Sequence, residues 1–298
     1  TLLKDLKNSI KKILIAHSSN DNYGASKVLI SVIETFIKNG YETHLFLPST
    51  GPINQNKTIK KIKIKVVNMG IFRKKYFHFF GLINRLFFIL KSSNYIKNYI
   101  KKNNIDFVYV NTSTLISPLI ASKITAKNNL IHVHEIPTGS NLYLKFLTFF
   151  FNYFSQNIIS VSNSVSSFWL KKGVNKNKIR TVYNGFKFDT YNKQKNNQQK
   201  IIFTSISRII PYKGHLLLIE IFEKLIKKNH KIYFQIIGDT LPQYQNYFRD
   251  LKLKVKDKGL DSRISFLGYQ RDVIPLLNNT DFFIHLPISP DPLPTVII

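Results

Sequence analysis

Short apolar runs alternate with stretches of helical periodicity along most of the chain. Lys11 to His17 contains a compact Ile-Leu-Ile run of the kind that forms a buried strand. Apolar residues then recur at helical spacing from Val28 to Phe36 and stop before Asn39-Gly40, a pair typical of a helix end. Tyr41 to Leu47 is the next strand candidate. A strand, a helix and a strand in this order predict a βαβ unit with parallel strands.

The same alternation continues to the end of the chain with one interruption. Residues 187–199 are rich in Asn, Gln and Lys and have almost no apolar residues, which is typical of a linker between domains. Before this segment the pattern predicts strands at 62–67, 105–111, 130–133, 157–161 and 180–183, and helices at 76–102, 115–127, 142–154 and 164–172. After it the pattern predicts strands at 201–206, 231–237, 263–267 and 281–286, and helices at 216–227, 244–258 and 272–278.

The predicted architecture is therefore an α/β protein of two consecutive Rossmann-like domains, with parallel sheets and helices on both faces. We expect an N-terminal domain at residues 1–186, the linker at 187–199 and a second domain at 200–298. The final segment, Pro294 to Ile298, looks like the start of a helix without its body. Because an isolated half-turn at the end of a domain would bury little surface, we expect the second domain to be cut before completion.

The composition is typical of folded domains and excludes every kind of site that needs cysteine. The 298 residues are 44% hydrophobic, and no cysteine is available for disulfides, thiolate metal ligands or a nucleophile. The most apolar windows, 79–90 and 146–161, are interrupted by polar residues, so no membrane span is predicted. Residues 1–12 carry charges without an apolar core, so they do not resemble a secretory signal.

The net charge of +28 is concentrated in the first part of the chain. Residues 1–199 hold 30 Lys and Arg against 7 Asp and Glu, and residues 200–298 hold 14 against 9. Such an excess suits a polyanionic partner, whether nucleic acid, anionic lipid headgroups or an anionic acceptor. A general compositional bias towards Lys and Asn explains the charge equally well.

A basic loop opens the second domain. Ser207-Arg208-Ile209-Ile210-Pro211-Tyr212-Lys213-Gly214-His215 follows a predicted strand and starts a predicted helix. The amide groups and the dipole at a helix N-terminus attract anions, Arg208 and Lys213 add positive charge, and Gly214 lets the backbone come close to a ligand. The loop is a candidate site for a diphosphate, although any basic chain places Arg and Lys near helix starts.

Motifs of other common chemistries are missing from the sequence. It contains no G-x-G-x-x-G, G-x-x-x-x-G-K-[ST], H-E-x-x-H or D-x-D pattern, so it lacks the loops of dehydrogenases, P-loop proteins and zincins and offers no Asp pair for Mg²⁺ or Mn²⁺. His132-Val133-His134-Glu135 ends a predicted strand, and alternation places both His on one side. These His are candidates for polar groups that face a ligand, for a metal site that lacks a third ligand, or for buried hydrogen-bonded histidines.

Taken together and in order, these segments resemble the nucleotide-sugar-dependent glycosyltransferases of family 4, which have the GT-B fold. The resemblance covers nearly the whole chain. In the first domain it rests on Tyr23-Gly24-Ala25-Ser26, His132 to Glu135, Ser160-Val161-Ser162-Asn163-Ser164 and Val182-Tyr183-Asn184-Gly185-Phe186. In the second domain it rests on Ser207-Arg208 with Lys213-Gly214, Ile237-Gly238-Asp239, Phe266-Leu267-Gly268, Asp281 to Pro287, and Ser289 to Thr295.

The resemblance implies a set of residues that bind the donor. Arg208, Lys213 and Gly214 would hold its diphosphate, where a cationic pair and helix N–H groups would stabilise the leaving group without a metal ion. Tyr269 would lie near the base. Gly24 would allow close approach to the ligand in the first domain.

The resemblance also implies two catalytic residues, His134 and Asp291. His134, with His132 as the competing candidate, would face the transferred sugar. Asp291 stands in the place of the first Glu of the family's acidic motif, which lies near the sugar, and Pro294 stands where the family commonly has Gly. The second Glu of that motif would fall one residue past Ile298, so we expect a chain that is truncated at its C-terminus.

The resemblance thus implies a retaining, metal-independent glycosyltransferase that needs no cofactor and uses a UDP- or GDP-sugar as donor. Its acceptor is expected to be a saccharide, lipid-linked, in the synthesis of bacterial lipopolysaccharide or capsule. The segment from Phe72 to Lys102 interleaves Arg and Lys with aromatic residues, which predicts attachment to an anionic membrane surface on its cytoplasmic side unless those aromatic residues belong to the core. Two alternatives stay open: a nucleic-acid-binding protein, for which no specific recognition motif is present, and a catalytically inert fragment that keeps the fold.

Overall fold

The chain forms two compact units in a computed structural model that describes residues 11–185 and 200–297. The first unit contains the described residues up to Gly185 together with Pro292–Thr295, and the second contains residues 200–291 with Val296 and Ile297. The linker predicted at 187–199 lies outside the described residues, as do Phe186 and Ile298.

The first unit is built on a parallel sheet of seven strands. Its strands are β1 (Lys12–Ala16), β2 (Glu42–Leu47), β3 (Lys63–Val66), β4 (Phe107–Val110), β5 (Asn128–Val133), β6 (Asn157–Ser160) and β7 (Ile179–Thr181). Its helices are α1 (Gly24–Lys38), α2 (Pro52–Gln55), α3 (Phe79–Asn103), α4 (Ser117–Ile124), α5 (Asn141–Phe154) and α6 (Asn163–Lys171). The strand order is β3-β2-β1-β4-β5-β6-β7, so the direction of winding reverses between β1 and β4. Open α/β sheets bind ligands beside such a reversal, at the carboxyl ends of the strands.

Alternation along the strands separates two hydrophobic cores in this unit. Leu14 and Ala16 of β1 face a core that α3 to α6 cover, while Ile13 and Ile15 face a core covered by α1. Because β1 is buried on both faces, its sequence is an unbroken apolar run, which is why the pattern located it. Helices on both faces of a parallel sheet were predicted, and this part of the fold is confirmed.

The second unit contains a parallel sheet of four strands. Its elements are β8 (Ile201–Ile206), α7 (His215–Lys228), β9 (Ile232–Ile237), α8 (Gln245–Asp257), β10 (Ile264–Gly268), α9 (Ile274–Asn278) and β11 (Phe282–Phe283). The strand order is β10-β9-β8-β11. Phe222 of α7 stacks on Phe234 of β9 with ring centroids 4.0 Å apart, at the centre of the core that α7 and α8 cover.

Two elements at the end of the chain are shorter than the pattern predicts. The strand predicted at 281–286 pairs with β8 only over Phe282 and Phe283. After one more ladder bond, from Ile284 N to Thr204 O, the chain leaves the sheet and crosses the loop before α7. The helix predicted to begin at Pro294 is a turn as far as the described residues extend.

Candidate functional site

The basic loop found in the sequence joins β8 to α7 in the second unit. A 3₁₀ turn at Pro211–Lys213 leads to Gly214, which has φ +73° and precedes the first residue of α7. A Cβ added at Gly214 would lie 2.1 Å from the carbonyl oxygen of Leu286, so the contact requires glycine. Ile288 N also donates to Tyr212 O at 3.0 Å. These two contacts hold the segment after β11 against the start of α7.

This packing brings two predicted site residues together. Lys213 Nζ forms an ion pair and hydrogen bond with Asp291 Oδ2, and both side chains are largely buried. The residues are 78 positions apart in the sequence. A buried pair of this kind is held by its surroundings, unlike an exposed ion pair that water and salt screen. The pair therefore forms a fixed positive and negative centre at the N-terminus of α7.

His285 completes the cluster and was not singled out from the sequence. Its Nε2 lies 3.0 Å from Asp291 Oδ2, and its side chain is only 7% exposed. Burial lowers the pKa of His285, the charge of Lys213 lowers it further, and Asp291 acts in the opposite direction. The imidazole is therefore neutral at pH 7, and its Nε2–H donates to the carboxylate, which can only accept. The sequence feature that could have identified His285 is its position near the carboxyl end of the strand predicted at 281–286, where parallel sheets present residues to a ligand.

Arg208 and Tyr269 follow the ends of neighbouring strands in the same sheet. Arg208 comes two residues after β8 and is partly buried. Gly238, just after β9, has φ +139°, and an added Cβ there would lie 1.9 Å from Ser207 O. Tyr269 follows β10, with β9 between it and β8, and is 52% exposed. The structure thus joins Lys213 to Asp291 directly and places Tyr269 two strands away from β8.

A second polar centre lies at the carboxyl ends of β1, β4 and β5 in the first unit. Asn111, which follows β4, links the other members. Its Oδ1 lies 2.9 Å from His134 Nε2, and its Nδ2 donates to Ala25 O at 3.3 Å and lies 3.2 Å from His17 Nδ1. Asn111 therefore connects the predicted His134 to the turn that contains Gly24. It was missed because a single Asn after a strand is an ordinary loop signal.

His17 extends this centre towards the loop after β1. Its Nε2 lies 3.1 Å from Ser26 Oγ, which in turn donates to Asp21 Oδ1 at 2.7 Å. Burial lowers the pKa of His17, and Asn111 and Asp21 act in the opposite direction. The chain of bonds runs from a partly exposed carboxylate to a buried imidazole, so the polar centre is ordered as a unit.

His132 and His134 lie side by side, as strand alternation predicts, with ring centroids 4.1 Å apart. His132 Nδ1 is 2.5 Å from the Tyr109 hydroxyl oxygen, within hydrogen-bond distance. Burial lowers the pKa of His132 to about 4 and holds that of His134 well below its ordinary value, with the neighbouring histidines adding to the effect on His134. Both imidazoles are therefore neutral at pH 7, and His134 presents a polar ring beside Asn111.

The remaining predicted residue, Gly24, opens α1. A Cβ added there would lie 3.1 Å from Thr295 Cγ2, so the position tolerates little added volume. Within residues 11–185 and 200–297, no group of three or more His, Asp and Glu side chains is placed to hold a metal ion. No helix in the same ranges is long and apolar enough to cross a membrane.

Two family models match this chain. The model described as Glycosyltransferase Family 4 matches residues 23–189, and the model described as Glycosyl transferases group 1 matches residues 187–298. The capsular polysaccharide biosynthesis glycosyltransferase CapH of Staphylococcus aureus is 25% identical over 210 residues, which are 67% of this chain and 58% of CapH. The chain thus spans less than two thirds of the length of that relative.

Solved structures of glycosyltransferases share the fold. Anabaena Alr3699/HepE, crystallised with UDP and glucose, is 22% identical and superposes with a TM-score of 0.78 over 96% of this chain and 77% of its own. A glycosyltransferase from Rickettsia africae is 22% identical and has a TM-score of 0.75 over 95% of this chain and 74% of its own. Since the first of the two family models covers more than half of the sequence, the chain belongs to that family of glycosyltransferases, and its fold is GT-B.

Proposed function

We propose that this protein transfers a sugar from a nucleotide-sugar donor to a saccharide acceptor. The observation that carries the proposal is the cluster of Lys213, Asp291 and His285 at the N-terminus of α7. Its position after β8 is where a parallel sheet presents residues to a ligand. The family membership supports the same activity, and the name of CapH favours a polysaccharide of the bacterial surface as the product.

Lys213 and the first N–H groups of α7 are suited to hold the donor diphosphate. When the bond between the sugar and the diphosphate breaks, negative charge grows on the phosphate oxygens. A fixed ammonium and helix N–H groups stabilise that charge without reorganising, and Arg208 adds a second cation on the same loop. We therefore propose a reaction that needs no metal ion, with UDP or GDP as the leaving group.

Asp291 and His285 are suited to the sugar side of the donor. The carboxylate is held by Lys213 and by His285 Nε2–H, so its orientation is fixed. A fixed carboxylate can accept hydrogen bonds from sugar hydroxyl groups and favours the positive charge that the sugar develops in the transition state. We assign the corresponding role in the first unit to His134, whose neutral ring is oriented by Asn111. Retention of configuration is part of this proposal.

The acceptor is proposed to be lipid-linked, because α3 presents an apolar face to solvent. Phe79, Ile83, Leu86 and Leu90 fall on one side of the helix and are each more than half exposed. Lys97 and Lys101 continue the same side, and the sequence contains no Asp or Glu from Thr43 to Ile105. An apolar face flanked by lysines suits the surface of an anionic bilayer, where each basic residue contributes about 1 kcal/mol. We place the protein at the inner face of a bacterial membrane.

Nucleotide-sugar binding tests the donor part of the proposal. We expect calorimetry to detect binding of a UDP- or GDP-sugar to the unaltered protein. Lys213→Ala and Arg208→Ala are each expected to weaken it by about tenfold or more, because each removes a charged hydrogen-bond donor. Lys228→Ala, at an exposed position near the end of the same helix, should leave affinity unchanged. Equal affinity in all three variants would overturn the site.

Vesicle flotation tests the membrane part. We expect the protein to float with phosphatidylglycerol vesicles at low salt and to be released as salt rises. A Phe79→Ser/Ile83→Ser/Leu90→Ser variant should lose most of this binding, whereas Leu253→Ser, which changes an exposed apolar residue of α8, should retain it. Full binding by the triple variant would remove α3 from the proposal.

A further inference from the structure

The first unit contains a pocket that none of the proposed donor residues lines. Its volume is about 310 Å³, within the range of small-molecule sites. It lies at the carboxyl ends of β1, β2 and β3, and its far wall is the segment that leads into α3. Its lining includes Ser18, Ser19, Asn20, Arg73, Tyr76 and Arg85.

Two guanidinium groups face this pocket from one wall. Arg73 Nη2 donates to Ser18 O at 3.3 Å, which ties it to the loop after β1. Arg85 lies over the ring of Tyr76, with its Cζ 4.2 Å from the ring centroid, and its Nε donates to Asn84 Oδ1 at 3.1 Å. Both side chains are therefore positioned before any ligand arrives.

Neither positive charge is neutralised within the described part of the chain. No ion pair there includes Arg73 or Arg85, and their partners are a carbonyl, an amide and two aromatic rings. The sequence supplies no carboxylate from Thr43 to Ile105, the stretch that contains both. Two unneutralised guanidinium groups at one pocket favour an anion, and their planar donor pairs match phosphate oxygens.

The opposite wall is polar and held in place. Asn20 Nδ2 donates to Ser49 O at 2.8 Å, and Asn20 Oδ1 accepts from Ile53 N at 2.8 Å. This fixes the loop that carries the hydroxyl groups of Ser18 and Ser19. The pocket thus combines two cations with small hydroxyl donors, which is the chemistry of a phosphate site rather than of an apolar ligand.

Helix α3 carries both a pocket residue and an exposed apolar face. Arg85 lies on α3 near the side that packs on the sheet, whereas Phe79, Ile83 and Leu90 lie on the side open to solvent. Tyr76 at the pocket and Phe79 on the apolar face are three residues apart. A ligand with a phosphate and a long hydrocarbon would therefore find both of its parts accommodated along one helix.

We propose that this pocket binds the phosphate group of a lipid-linked acceptor, with Arg73 and Arg85 as its ligands. The proposal deepens the proposed function, on which it rests, by naming the class of acceptor: a saccharide joined through phosphate to a membrane lipid. The hydrocarbon stays in the bilayer beside the exposed face of α3. The pocket selects the acceptor by the charged junction between its lipid and its saccharide.

The test uses phosphatidylcholine vesicles doped with a polyprenyl phosphate as the probe. We compare the full chain with an Arg73→Gln/Arg85→Gln variant and with Lys60→Gln/Lys61→Gln as the matched control. Both variants remove two charges from the first unit, but only the first changes the pocket, and both control lysines are exposed and lie outside α3. We expect the arginine variant to lower affinity for the doped vesicles by about tenfold or more, as loss of charged hydrogen bonds implies. The lysine variant should change it by about twofold at most, since it removes only surface attraction.

Two further binding measurements distinguish a polyprenyl phosphate from other phosphate-containing ligands. Vesicles with phosphatidylglycerol at the same surface charge should bind more weakly than the doped vesicles and should respond equally to both variants. Inorganic phosphate should bind more weakly still. Equal losses in the arginine and lysine variants on doped vesicles would overturn the pocket. Inorganic phosphate binding as tightly as the polyprenyl phosphate, with the same loss in the arginine variant, would overturn the lipid-linked assignment.

Failure of the phosphate-pocket proposal can be distinguished from failure of the proposed transferase function. Nucleotide-sugar affinity, measured on the same arginine variant, should equal that of the unaltered protein, because no residue proposed to bind the donor lines this pocket. Circular dichroism checks that the variant is folded. If the donor does not bind but the arginine-dependent vesicle binding persists, the transferase proposal fails and the phosphate site stands.

Discussion

Gly214→Ala is expected to disrupt the donor site and to abolish sugar transfer. The backbone at this position has φ +73°, and the new methyl group would lie 2.1 Å from Leu286 O, so the segment that carries His285 and Asp291 must move. The left-handed backbone costs about 1–2 kcal/mol for an L-residue. With displacement of the packed segment, we expect about 3 kcal/mol or more of lost stability in the second unit.

Gly259→Ala is the matched control for this change. Gly259 has φ +61° and no atom within 4 Å of an added Cβ, so the substitution imposes backbone strain without the clash. Hydrogen exchange of α7 peptides should accelerate in Gly214→Ala and stay near normal in Gly259→Ala. Exchange and nucleotide-sugar affinity that match between the two variants would show that the contact with Leu286 is unimportant.

Acid is expected to destabilise the first unit well above the pH at which its carboxylates titrate. Burial lowers the pKa of His132 to about 4 from 6.5, and the pKa values of His17 and His134 are also lowered. Because the folded pKa values are depressed, the unfolded chain binds protons first as pH falls below 6.5, and stability is lost in that direction. Each such histidine contributes a slope of up to about 1.4 kcal/mol per pH unit, so His132 alone accounts for about 3 kcal/mol by pH 4.

The measurement can be made specific to this unit. Trp169 is the only tryptophan and is fully buried in the core beneath α5 and α6. Urea unfolding followed by its fluorescence should give a free energy of unfolding that falls between pH 7 and pH 5. His132→Gln should flatten that fall, whereas His230→Gln, at an exposed position in the second unit, should not. Equal stability at both pH values would contradict the buried neutral state.

Protonation of Glu42 is expected to cause a separate loss of stability at lower pH. Hydrogen bonds from Lys63 and His44 lower its pKa to about 2. The pKa of Glu42 is lower in the folded than in the unfolded protein. Its contribution to the free energy of unfolding is therefore present above the ordinary Glu pKa of 4.5 and is lost as pH falls through about 2. Because this window lies below that of the histidines, the two effects are distinguishable along a pH series.

The sequence was sufficient for the order and type of most elements. Strand β1 is buried on both faces and forms an apolar run, β9 buries Ile232, Phe234 and Ile236 on one face, and helices such as α7 carry a clear apolar stripe, so periodicity found them. Periodicity predicted a strand at 281–286, but only the two residues of β11 pair with β8. The strand ends there because the chain must pass Gly214, and a contact between positions that far apart leaves no local signal.

The same distinction separates the site residues that were anticipated from those that were not. Arg208, Lys213 and Gly214 share one loop, so their combination could be read from adjacent letters. Asp291 was identified only through resemblance, and its contact with Lys213 is a property of the fold. Asn111 belongs to no motif, and His285 lies within the Asp281 to Pro287 motif without being distinguished from its neighbours there. Their importance comes from the neighbours that the fold gives them.

The strand order of the second unit has a consequence for synthesis of the protein. Of the four described strands of this sheet, β8 is the first to leave the ribosome, and β11, which pairs with it through Phe282 and Phe203, is the last. Until residue 282 has been made, the nascent sheet carries an uncovered edge of Ile201–Ile206, and such edges template aggregation. Since Asp291 is translated later still, the ion pair with Lys213 cannot form before residue 291 has been made, and the candidate anion site is therefore completed after the strands of this sheet.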